Sequence, residues 1–222
     1  MTNRGPRDDS RDGDPPDIDS ALSAGAALFN EGYVLAAHDP WEDAWLPLDA
    51  DDAPDDERLL HGLIAAAVAT HHASSRNWSG AVGCATNAVE YLDAADGAVR
   101  GLEVRPIREW CRRLAADPET IERARPPAIR IDDAAPRFDT LDFSAALLTA
   151  PVLAVELDMG IEAIFEQAAA FAREEYGTGR TTFTELLFAF LRTPETRPQV
   201  ATRLADRVKL AERKRRDVDD LF

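Results

Sequence analysis

The chain has 222 residues, 45% of them hydrophobic, which is enough for one large helical domain or two small ones with a buried core. Its formal net charge is -16, from 41 acids and 25 bases, and this argues against nucleic acid as the main partner, because a phosphate-binding surface needs clustered cations. No apolar run reaches the ~18 residues of a membrane span and the Arg/Asp-rich start has no apolar targeting stretch, so the expectation is a cytoplasmic protein with no membrane association.

Residues 1–19 are polar, with Pro15-Pro16 and several aspartates, and read as a disordered leader. Ser20 is the expected N-cap of a helix through Asn30, broken at Gly32. Tyr33 to about Trp45 reads as a second helix, kinked at Pro40. Asp49 to Glu57 holds six acids, no base and Pro54, and reads as a solvated loop. Leu59 to His72 is almost wholly apolar and Ala-rich, the pattern of a buried helix. A turn at Ser74–Asn77 precedes a helix from Ser79 or Gly80 to about Ala95. Pro106 opens a helix through Leu114, and Asp117-Pro118-Glu119 has the form of a cap and first helical turn.

Pro126, Pro127 and Pro136 mark 124–138 as a linker. Beyond it the sequence predicts a helix over Leu141–Leu157 bent at Pro151, another over Ile161–Tyr176 stopped by Gly177, and a third over Phe183–Leu191 opened by a capping box at Thr182 and Glu185. A last helix runs from Gln199 to about Arg216. No strand pattern, phosphate loop or fixed repeat is present. The expected class is all-α: a multi-helix bundle with an N-terminal domain over 20–123 and a C-terminal helical region over 139–222.

Twenty-three of the bases are arginine; only Lys209 and Lys214 are lysine. Acid-rich and lysine-poor composition fits work in concentrated salt, where screening relieves carboxylate repulsion. Arg213-Lys214-Arg215-Arg216 reads as a solvated last helical turn, where cations suit the helix dipole. Cys84 and Cys111 fit no metal spacing and read as small buried thiols in a reducing compartment.

All four histidines fall between positions 38 and 72, and three of the four tryptophans between 41 and 78. In His38-Asp-Pro-Trp41-Glu42-Asp-Ala-Trp45, helical geometry sets His38 and Glu42 about 40° apart and Trp45 within about 20° of His38, so all three share a face. His61 and His72 share a face three turns apart, about 16 Å along the axis, so they cannot hold one ion together. A metal site would take His38, Glu42 and one of His71 or His72, from two helices. The alternative is a buried His–Glu pair with tryptophan packed beside it, satisfied without an ion.

Phe29-Asn30-x-Gly32, Ala37-His38-Asp39-x-Trp41-Glu42-x-x-Trp45, Gly62-Leu63-Ile64, His72, Asn77 and Gly80-Ala81 resemble the family called domain of unknown function 309, over about Ala21 to Leu92. The resemblance implies a compact helical fold and a His-x-x-x-Glu-x-x-Trp/Tyr motif suggested to bind metal, with no assigned reaction. It puts weight on His38, Glu42 and His72, and the C-terminal half looks like the extension of salt-loving archaeal members. The chain departs from the family at Ala36, Pro40, His61 and Ala65. Ala36 and Ala65 remove polar groups that would line a site.

Two functional readings follow. One is a small metal-dependent, hydrolytic enzyme, with His38 and His72 binding a divalent ion such as zinc and Glu42 as ligand or general base. The other is a non-enzymatic helical protein, with His38, Trp41, Glu42, Trp45, His72 and Asn77 as a structural network and outer grooves that bind a protein partner or a second copy. The absence of nucleophile motifs and the alanines at 36 and 65 favour the second.

Overall fold

The computed structural model describes residues 16–48, 53–94 and 99–219. Among these the chain forms nine α-helices and no strand. They are α1 (Ile18–Asn30), α2 (His38–Trp45), α3 (Pro54–Ser74), α4 (Trp78–Ala94), α5 (Val104–Ala116), α6 (Phe143–Glu156), α7 (Glu162–Glu175), α8 (Thr182–Arg192) and α9 (Arg197–Asp219). No described helix is long and apolar enough to cross a membrane. Residues 1–15 of the expected leader and 49–52 of the expected loop lie outside the described residues.

Helix starts depart most from the sequence reading, each for a local reason. Asp17, not Ser20, caps α1: its Oδ2 accepts from both the backbone N and the Oγ of Ser20 at 3.1 Å. A kinked Tyr33–Trp45 helix does not form. Residues 34–37 make a turn, and α2 starts at His38. Pro40 then falls in the first helical turn, where backbone N–H groups have no intrahelical partner, so it forfeits nothing.

The acidic stretch from Pro54 belongs to α3 rather than to a loop. Pro54 occupies the first turn with Asp55, Asp56 and Glu57 beside it, where carboxylates complement the positive end of the helix. Asp117 caps as expected, but Pro118–Glu122 is a single 3-10 turn. At α8 the expected capping box does not form: the N-cap is Thr181, whose hydroxyl donates to the Glu185 carboxylate at 2.7 Å instead of accepting from the backbone, and Glu175 accepts from the Phe183 N–H at 3.0 Å.

Helix α3 is the axis of the N-terminal half: α2, α4 and α5 all pack on it. Its small residues permit close approach; a Cβ on Gly62 would stand 2.6 Å from the Leu92 side chain on α4. Helix α1 packs on α2 at one side and α6 at the other, and α6 carries the cluster of α7, α8 and α9. The buried core is continuous from Ala21 to Val208. Each large apolar side chain withdrawn from water in it contributes about 1.5–3 kcal/mol.

The 124–138 segment is without helix and is strapped to α1. The Asn30 amide donates to the carbonyls of Ile129 and Pro136, both at 3.0 Å, and accepts from the Ile129 N–H at 2.8 Å. Phe138 is buried and stacks on Tyr33 at 5.8 Å. One side chain thus satisfies three backbone groups that a strap of this kind would otherwise leave open.

Candidate functional site

The sequence motif divides into three groups in space. The first lies at the start of α2. His38 gives its Nδ1 hydrogen to the Leu35 carbonyl at 2.5 Å, in the turn before the helix. This fixes the tautomer and aims Nε2 at two carboxylates, Asp39 Oδ1 at 3.2 Å and Glu42 Oε2 at 3.9 Å. Asp39 is buried, while His38 and Glu42 are half-buried. Ligand atoms of His38, Asp39 and Glu42 all lie within 4.8 Å of one another, and first-shell bonds of ~2 Å to one ion require them to draw within ~4 Å.

Trp41 is fully buried behind this group, its indole seated on Gly25 of α1 so closely that a Cβ there would stand 2.3 Å from Nε1. Among the described residues its N–H has no hydrogen-bond acceptor, so Trp41 acts here through volume and contact area.

The second group joins α2, α3 and α4. Trp45 donates its indole N–H to Glu57 Oε1 at 3.1 Å, and His61 Nδ1 stands 3.4 Å from the same oxygen. The His61 ring lies between Trp45, at 4.7 Å, and Tyr91 of α4, stacked at 3.9 Å. The carboxylate that Trp45 meets is therefore Glu57, not Glu42. Glu57, His61, Tyr91 and Asp39 did not figure as site residues in the sequence reading. The missing signal was the Glu57–His61 spacing of four on one helix, hidden because Glu57 read as loop.

The third group is the corner between α3 and α4. The Asn77 amide donates to His72 Nδ1 at 3.3 Å, and its oxygen accepts from the Gly80 N–H at 3.2 Å, capping α4. His72 is thus engaged at the corner and lies outside the group formed by His38, Asp39 and Glu42. His71 has its protonation disfavoured chiefly by burial, then by the charges of His72 and His38, with Glu156 of α6 acting the other way. The α3 imidazole in electrostatic reach of His38 is therefore His71.

Deeper in the same helices the Trp110 indole donates to Thr70 Oγ1 at 2.9 Å, and Thr70 donates to the Ala66 carbonyl at 2.8 Å. Two surface grooves lie instead on the C-terminal helices, one beside Asp142, Phe143, Arg173 and Tyr176, the other beside Phe171, Phe183, Arg180 and Lys214. No residue of the three groups lines either groove.

Residues 22–84 match the family model described as Domain of unknown function (DUF309), a span that holds all three groups apart from Tyr91 and the α6 neighbour of His71. No curated protein and no solved structure matches the chain.

Proposed function

We propose that this chain is a non-catalytic helical interaction module, in which the His–Glu–Trp residues hold the N-terminal helices in register. The observation that carries the reading is the convergence of Trp45 and His61 on the Glu57 carboxylate, with the His61 ring held between Trp45 and Tyr91. Three helices meet there through groups whose polar atoms satisfy one another, which is the pattern of a structural network. The His72–Asn77 corner adds a second such tie. The acid-rich, lysine-poor composition supports work in the concentrated salt of a halophile's cytoplasm. Residues 20–123 act as the N-terminal domain, and 139–222 as the C-terminal extension that offers outer surface to a partner.

A second reading rests on His38, Asp39 and Glu42. These three donors are of the kind that hold a divalent ion such as zinc, with Leu35 orienting the imidazole. Such an ion would supply a polarised water, and Glu42 would act as ligand or base in a hydrolytic reaction. With His72 engaged by Asn77, the set reduces to one histidine and two carboxylates within five residues.

Elemental analysis of untagged protein separates the two. The structural reading expects less than a tenth of an equivalent of zinc, manganese or iron, and an unfolding midpoint unchanged by chelator. One equivalent of metal that His38→Ala abolishes would replace it with the metal-dependent reading.

A further inference from the structure

The C-terminal helix has the opposite electrostatic character from the protein that carries it. In a chain of formal charge -16, α9 holds eight bases and four acids, and both lysines of the sequence are in it. One face, through Val200, Leu204 and Val208, is buried on α7 and α8. On the outer side Arg203, Arg207, Leu210 and Lys214 follow one another at spacings of four, three and four. Helical geometry gathers them into a strip about 16 Å long and about 60° wide. All four are exposed, Leu210 by 41%.

A solvated helix end does not account for this strip. Cations complement a helix at its C-terminus, but Arg203 and Arg207 stand in the first half of the helix, too far from that end for the dipole to account for them. Among the described residues none of the three cations has an ion-pair partner; the α9 cation that has one is Arg215, which bonds Glu174 and lies over Phe171. Lys214 also lines the groove that Phe171, Phe183, Arg180 and Arg215 share with Glu174 and Glu175. A lysine-poor protein has therefore placed exposed cations and one exposed leucine on a helix that borders a partly aromatic groove.

We infer that the outer face of α9 docks an acidic protein segment carrying an apolar side chain among its carboxylates. The carboxylates meet Arg203, Arg207 and Lys214, and the apolar side chain meets Leu210 beside the groove. Charge complementarity selects the sign of the partner. The leucine selects a polypeptide over a polynucleotide, whose phosphates offer it nothing. The inference rests on the reading of the chain as an interaction module and names the surface that reading requires.

The test uses the full chain and a fluorescein-labelled twelve-residue peptide with five aspartates flanking a central leucine. Fluorescence anisotropy should give saturable binding at low salt and, more weakly, in the concentrated salt that the proposed function calls for. Arg203→Glu, Arg207→Glu and Lys214→Glu together should weaken it at least tenfold, and Leu210→Ser about fivefold. A peptide with lysine in place of each aspartate should bind the triple variant more tightly than the parent. Circular dichroism of these surface variants should match the parent. Unchanged affinity in the triple variant overturns the inference. So does a twelve-nucleotide single strand that binds more tightly than the peptide and ignores Leu210, or an oligomer that forms without peptide and is dispersed by the triple variant. None of these outcomes changes the zinc content, so a failure here is distinct from discovery of a His38-dependent metal.

Discussion

The helices before and after the 124–138 strap are stabilised by different chemistry. In α1–α5 the core leucines are joined by indoles and imidazoles with polar tips, and most of those tips have named partners: Trp45 on Glu57, Trp110 on Thr70, His38 on Leu35, His72 on Asn77. In α6–α9 the large side chains are phenylalanines and leucines that meet ring to ring, Phe165 with Phe190 at 4.8 Å and Phe171 with Phe183 at 5.0 Å. Directional bonds fix which residue faces which; apolar contacts fix volume more than identity. The first region should therefore be intolerant of conservative changes, and the second should accept them.

The largest expected effect is in the first region. Trp41→Ala leaves a cavity between α1 and α2 and should cost about 3–5 kcal/mol, read by urea unfolding. A loss below about 1 kcal/mol would mean that α2 is not held by this indole. Gly25→Ala tests the other side of the contact. Its new Cβ would stand 2.3 Å from the indole, so the helices must part, at a cost of about 1–3 kcal/mol in the same assay. A neutral or stabilising result would show that α1 can shift freely.

Leu187→Met in the buried core of α8 sharpens the contrast from the other region. It nearly conserves volume and should cost less than about 1.5 kcal/mol. A loss as large as that of Trp41→Ala would erase the distinction. The smallest effect is chemical. Burial pushes the Cys111 thiol up to about 12 from a starting value of 9.0. The fold favours the neutral thiol, so its contribution is full below pH 9 and declines as pH rises from 9 toward 12. A thiol reagent at pH 8 should label Cys111 only in denaturant, and Cys111→Ala should reduce the loss of stability in that alkaline window. Rapid labelling of Cys111 in the folded protein would contradict the burial of α5 against α3 and α4.

The all-helical architecture was legible because helical periodicity is repeated over many residues and tolerates local error. The Ala-rich run around Leu63 and Ala66 announced a buried central helix, and it is one. Helix starts were less legible, because one side chain decides each. Asp17 outcompetes Ser20 by accepting two bonds, and six acids around Pro54 read as loop when the last three belong to a first turn. The His38–Glu42 face was legible from a spacing of four, and the turn ahead of α2 preserved it by moving Pro40 to a harmless position. What joins α2 to α3 was not legible. Glu57 meets Trp45 across twelve residues, and the α3 imidazole in electrostatic reach of His38 is His71 rather than His72, because helix crossing and rotation are set by packing that local spacing does not encode.

The central claim is that Glu57 couples α2 to α3 by bonding Trp45 and His61, with no ion involved. A double-mutant cycle of Trp45→Phe and Glu57→Gln, measured by urea unfolding in chelator and again with zinc, tests it most directly. The account predicts a coupling energy of about 0.5–2 kcal/mol that is the same in both conditions. Additive single losses, together with a midpoint that rises on adding zinc, would contradict it.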